Sequence, residues 1–413
     1  MIAVLALAPL APLARGEFVP QLPFFHSYIG AKDGRIRDTA FRASLEGAFD
    51  AALDSVNANY DDLVVTMGQC FGGGMLDDVD QALTSSLNSA ARWYELSWST
   101  VGPAQNRRGA YLDQWAQAIN VANPPTMLSA ATTARANDPA GPVTNTFVNQ
   151  FGAEFLEHPQ YTSSSAIGDN IKLRDSTPAK AILFGGHDED SPWINFNSVA
   201  QIHNVLTTRY GYAEADIFVL YSGAADPGGN ALPFVRDADT TLAGYNAAMT
   251  WLDGQATAAS QPDVLYWNAL QHGSVAFDVK EFIGAVQGII QTVFDLGPEF
   301  TSVYDDQGPG GVDERWLHVE YDALAEGNSL LLNGELVAEL TAGSNALDIP
   351  LDVSQVSLSE TGNTLEIVGP DTLDAFSALE LGMTATGLMV PEPASIALLA
   401  LGALGALRRR RAG

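Results

Sequence analysis

Apolar positions change rhythm along this chain, and each rhythm predicts a different element. Thr39 to Ala58 carries Phe41, Leu45, Phe49 and Leu53 at helical spacing, which predicts an amphipathic helix. Leu63 to Met67 is a short β-branched run that predicts a buried strand, and it breaks at Gly68, Gln69 and Cys70, with Gly72 to Gly74 behind. Ala104 to Ala140 mixes Arg, Asn, Pro and Gly irregularly and reads mostly as loop, apart from a helical patch at Tyr111 to Ile119. A second series follows: a strand at Ala181 to Phe184 running into GGHDED, a helix at Ser198 to Tyr210 and a strand at Ile217 to Tyr221. A helix at Asp239 to Asp253 and a strand at Asp263 to Leu270 complete it, the strand ending in Gln271, His272 and Gly273. Strands alternating with helices predict an α/β fold around a mostly parallel sheet.

From Glu299 the segments LHVEYDAL, SLLLNGELVAEL, ALDIPLDV and NTLEIV alternate at the strand period, separated by Gly, Asn and Asp. They predict a small all-β sandwich. The ends follow neither pattern. Met1 to Ala14 is apolar and rich in small residues, like the end of a secretory signal, although no Lys or Arg precedes it. At the other end Pro391, Glu392 and Pro393 precede the apolar residues 394–407 and then Arg408 to Arg411. That run is short against the roughly twenty residues a bilayer needs. Its arginines would stay on the cytoplasmic side.

Composition narrows the choices. Hydrophobic residues make up 46% and charged residues 17%, so the chain can bury a real core. The formal net charge of −29 argues against nucleic acid, because phosphate binding needs clustered Lys and Arg, and the only dense basic cluster is Arg408 to Arg411. There is one cysteine, Cys70. It cannot form an internal disulfide, so it is an inert thiol, an intermolecular bridge or a nucleophile.

Thiolate attack on a carbonyl needs an exposed cysteine, a histidine to manage its proton and backbone N–H groups facing the oxyanion. Cys70 and His272 each follow a predicted buried strand, and two adjacent parallel strands would bring them to one sheet edge. Glycines beside Cys70 would let substrate approach the backbone. His26, in LPFFHSYIG, is a rival partner upstream of Cys70, near the roughly fifty-residue spacing seen in caspases. His187 follows the first strand of the second series and reads as a polar loop residue. His158 and His203 read as structural, and His318 lies in the β region. No metal-ligand spacing, phosphate loop or G-x-S-x-G elbow is present.

Two resemblances attach to these motifs. The Pro-Glu-Pro triplet, apolar run and arginine block resemble the PEP-CTERM signal of Gram-negative bacteria. That resemblance implies an exosortase partner, contact with the inner membrane through the tail, and later display at the cell surface or in the extracellular matrix. Separately, AILFGG, RYGYAEADIFVLYSG and DVLYWNALQHGS resemble the first half of a caspase-like domain of the legumain and clostripain kind. KDGRIRDTAFRASL, DDLVVTMGQCFGGGM, LNSAARWYELSW and EHPQYTSSS resemble its second half. The family usually places His before Cys. Here Cys70 comes first, which circular permutation through Asn137 to Gln150 would explain.

The resemblance implies a three-layer caspase-like sandwich in which Cys70 is the nucleophile and His272 its acid/base partner, with the Cys70 and Gly273 N–H groups facing the oxyanion. Peptides or proteins would be the substrates. No cofactor is expected, although relatives sometimes need calcium and the run Asp188 to Asp190 permits it. The expected division is a signal peptide at 1–16, a permuted α/β domain at 17–298 (halves 17–175 and 176–298), an accessory β-sandwich at 299–388 and a sorting tail at 390–413. The leading expectation is an exported cysteine endopeptidase. Its competitors are a non-catalytic surface protein that binds protein or polysaccharide through a degenerate peptidase-like domain, and a β region that binds carbohydrate.

Overall fold

The computed structural model describes residues 24–32, 34–41, 62–77, 84–164, 166–173, 179–186, 192–255, 264–270, 273–280, 291–294, 312–356, 363–371 and 375–385, with single positions 18, 21 and 79. The expected signal peptide, most of the helix at 39–58, the sorting tail, His187 to Asp190 and His272 lie outside them. Strands β1 (Phe25–Ala31) and β2 (Gly34–Arg37) form an antiparallel pair. The next six strands build one sheet: β3 (Asp62–Met67), β4 (Thr84–Ser89), β5 (Gln160–Ser163), β6 (Ala179–Gly185), β7 (Ile217–Tyr221) and β8 (Val264–Leu270). Its order is β5-β4-β3-β8-β6-β7, parallel except for β5 at the edge. β3 and β8 lie side by side in parallel, Asp62 opposite Val264 through Met67 opposite Ala269, as their sequences lead one to expect.

Both faces of this sheet are covered, which is why β3, β6, β7 and β8 read as unbroken apolar runs. On one face pack α1 (Ala110–Ile119), α2 (Met127–Asn137) and α3 (Pro192–Val205), around Trp115, Tyr266 and Val199. On the other pack α4 (Leu242–Gln255) and side chains of β1 and β2, around Trp267, Leu252 and Ile29. Residues 104–140 are more helical than expected. In α2 the buried positions are Met127, Ala130, Ala131 and Ala134, a helical stripe too small-sided to stand out as hydrophobic. Thr126 caps it, its side chain accepting from the Ser129 N–H.

β4 was not legible either, because its sequence TSSLNS is polar although it is buried. The side chains of Ser86, Asn88 and Ser89 are paired internally. The Asn88 amide donates to the Val65 carbonyl at 2.9 Å and to Thr66 Oγ1 at 3.1 Å, and Ser89 Oγ donates to the Ala91 carbonyl at 2.8 Å.

Past β8 the chain changes sheets almost at once. β9 (Gly273–Asp278) joins the antiparallel β1–β2 pair. The remaining strands are β10 (Gln291–Phe294), β11 (Val312–Leu324), β12 (Asn328–Leu332), β13 (Glu335–Leu340), β14 (Gly343–Pro350), β15 (Asn363–Val368) and β16 (Phe376–Ala385). They form an antiparallel half-barrel sheet of order β14-β11-β16-β9-β1-β2 and a small antiparallel sheet of order β10-β15-β12-β13. Asn333 and Gly334, at φ 53° and 81°, turn β12 into β13.

The predicted β segments are therefore strands, but their sheet is shared. β16 pairs with β9, so a division at 298/299 runs through continuous hydrogen bonding. Arg37 bridges Asp278 and Glu380 at 3.1 Å each, and the Tyr28 hydroxyl donates to Glu380 at 2.5 Å. Arg35 lies 3.9 Å above the Trp316 ring. One apolar cluster includes Cys70 and Trp93 together with Leu317, Leu330 and Met383. Among the described residues no helix is long and apolar enough to cross a membrane.

Candidate functional site

The carboxyl ends of β3 and β8 are tied together, because the Gly68 N–H donates to the Ala269 carbonyl at 2.7 Å. Cys70 lies two residues past that tie. Its own backbone meets Gly273: a Cβ on Gly273 would stand 1.8 Å from the Cys70 carbonyl oxygen and 2.7 Å from its carbon. The strand ends thus bring Cys70 against the first residue of β9. His272 lies outside the described residues.

The Cys70 thiol is enclosed. The residue is 0% exposed and belongs to a cluster with Phe25, Trp93, Trp98 and Phe277. The Ser97 N–H points at the sulfur at 3.2 Å, while Ser97 Oγ donates to the Gly68 carbonyl at 2.9 Å. Ser97 therefore grips both the thiol and the end of β3. Nothing in the QCFGGG motif announces this partner, which comes from a distant segment.

The glycines after Cys70 serve packing rather than an open approach. Phe71 adopts φ 58°, a left-handed conformation uncommon for a bulky residue, and its N–H donates to the Glu95 carbonyl at 2.9 Å. A Cβ on Gly73 would fall 2.8 Å from the Ala91 carbonyl oxygen. The space that sequence reasoning left for substrate is filled by residues 91–97.

The described histidines are occupied elsewhere. His26 sits in β1 on the face opposite Phe25, the residue that packs with Cys70. Its Nδ1 lies 3.1 Å from the fully buried Asp38 carboxylate. Burial pulls the ring's pKa down, but Asp38 more than offsets this and the net shift is upward. His158 pairs with Glu95 at 2.8 Å, His203 with Glu214 at 3.1 Å and His318 with Asp348 at 2.8 Å.

A second cluster, which sequence reasoning missed, backs the Cys70 cover. Asp138 and Glu157 are both 0% exposed. Glu157 Oε2 accepts the Trp98 N–H at 2.7 Å, and Asp138 Oδ1 accepts the Ala140 N–H at 3.1 Å. Burial first, and the neighbouring carboxylate second, push the Glu157 carboxyl well above its ordinary range, and burial raises Asp138 as well. Among the described residues no group of three or more His, Cys, Asp or Glu is placed to hold a metal ion, and Asp188 to Asp190 lie outside them.

Residues 390–411 match the family model of the PEP-CTERM protein-sorting motif. No curated protein and no solved structure matches the chain. The motif implies an exported protein processed by an exosortase. Deleting Val390 to Gly413 should therefore change the fractionation of the protein, releasing it or leaving it in the periplasm. Identical fractionation of truncated and full-length protein would contradict a sorting role for the tail.

Proposed function

We propose that the chain is an exported, exosortase-sorted protein that displays a non-catalytic body at the cell surface or in the extracellular matrix of a Gram-negative bacterium, where it binds protein or polysaccharide. The tail would hold it at the inner membrane until processing near Pro391 to Pro393. The observation that carries the non-catalytic reading is the enclosed Cys70 thiol. A peptidase nucleophile must reach a carbonyl carbon, and this sulfur is sealed behind Ser97 and an aromatic cluster. Cys70 then acts as a small buried hydrophobe and hydrogen-bond acceptor.

The second reading, a permuted caspase-like cysteine endopeptidase using Cys70 and His272, has its own support. Parallel pairing of β3 with β8 and the backbone contact between Cys70 and Gly273 are the arrangement a shared Cys–His edge needs. It requires residues 91–98 to open. The test is hydrolysis of unfolded protein and mixed peptide substrates by the full chain and by Cys70→Ser, with folding checked by circular dichroism. The first reading expects no Cys70-dependent cleavage. Turnover by the wild type that disappears in Cys70→Ser would replace it with the second.

A further inference from the structure

Two buried oxygens beside the Cys70 cover lack a hydrogen bond in the described structure: Asp138 Oδ2 and Glu157 Oε1. Both residues are fully buried, and an isolated buried carboxylate is costly. Each uses its other oxygen on a backbone N–H, and Ala140, bonded to both residues, brings the two side chains together where only a shared proton can satisfy both remaining oxygens. An O–H···O⁻ bridge there would join the two ends of one loop. The Glu157 N–H donates to the Ala140 carbonyl at 3.1 Å and closes the same base.

The loop leans on the segment that hides Cys70. Phe147, Phe151 and Phe155 form a ladder of rings that ends on Trp98, with Phe155 and Trp98 centroids 4.7 Å apart. Glu157 holds the Trp98 N–H, His158 holds Glu95, and Ser97 between them caps the Cys70 sulfur. Of the titratable groups, Tyr111 of α1 and Cys70 past β3 face the pair, with Glu95 and His158 alongside.

We infer that Asp138 and Glu157 are a proton-sharing latch: while the proton is held, the 138–157 loop stays closed over Ser97 and Trp98, and its loss to alkaline solvent opens the loop and uncovers Cys70. Loss of the proton leaves two adjacent buried negative charges, which repel each other and draw water in. The sign follows from the raised carboxyl affinities: the closed form holds the proton, so it dominates at low and neutral pH and weakens as pH rises. The inference stands under either functional reading.

The test is amide hydrogen exchange by mass spectrometry on the full chain at pH 6 and pH 9, each corrected for the intrinsic exchange rate. Wild type should lose at least about tenfold protection in peptides covering 95–98 and 138–157, and little elsewhere. Glu157→Gln should hold its protection at pH 9, since the amide donates where the proton sat and cannot ionise. Asp138→Asn should behave alike. Unchanged wild-type protection, loss spread over the whole chain, or equal loss in folded variants would each overturn the latch. If neither variant folds, the wild-type profile decides by whether its loss is confined to those two segments.

Discussion

A chain ending at Pro298 is expected to lose its cooperative fold. The cut removes β11, β14 and β16 and leaves β9 with an open edge in the middle of the half-barrel sheet. It also strips Glu380 from Arg37 and Tyr28, so buried Tyr28 loses its acceptor. Leu317, Val319, Leu381 and Met383 are each 0% exposed and go with the cut, uncovering Val275 and Phe277. At about 1.5–3 kcal/mol for each buried side chain, roughly 6–12 kcal/mol of burial disappears, comparable to the whole stability of an ordinary domain. Size-exclusion chromatography and thermal melting check this. A soluble monomer with a cooperative melt would mean the α/β sheet stands alone, and would restore a separable β domain.

Replacing Gly273 by alanine should be the most damaging single methyl on the molecule's candidate site. The new Cβ would stand 1.8 Å from the Cys70 carbonyl oxygen, and its neighbours are backbone rather than flexible side chain. Gly273 is also held from both sides, opposite Ile29 of β1 and Ala385 of β16, so β9 cannot slide away cheaply. The cost should reach about 3 kcal/mol or more, beyond the usual overpacking penalty. Urea unfolding of Gly273→Ala against wild type measures it. A loss under about 1 kcal/mol would show that the Cys70–Gly273 contact is loose.

Much of the parallel sheet was legible because a strand covered on both faces has no choice but to be apolar throughout. Leu63 to Met67, Ile217 to Tyr221 and Asp263 to Leu270 each declared themselves that way, and the first and last of them lie side by side as expected. β4 hid because Asn88 and Ser89 meet their hydrogen-bonding needs inside the fold, a tertiary fact that no local pattern carries. α2 hid because alanines pack as well as leucines where the neighbouring helix is close. β1 and β9 hid because they pair with each other, and β9 with β16, across long stretches of sequence.

At the candidate site the sequence brought out Cys70 and the glycines around it, and the structure sets Gly273 against Cys70. It could not bring out Ser97, Asp138 or Glu157. Ser97 matters through its contact with the Cys70 sulfur, and Asp138 and Glu157 through their place at the two ends of the loop behind it. The glycine run illustrates the ambiguity well: Gly73 gives close approach, but to Ala91 of the same chain rather than to a ligand.

The Cys70 thiol is closed off in the folded protein. The most direct measurement is the rate at which a thiol-directed peptidyl probe labels the full chain at neutral pH, native against urea-unfolded, with Cys70→Ala as the blank. Labelling should be at least about a hundredfold slower in the native protein, since attack must wait for a local opening worth several kcal/mol. Native labelling as fast as, or faster than, the unfolded chain would contradict it and mark Cys70 as an accessible nucleophile.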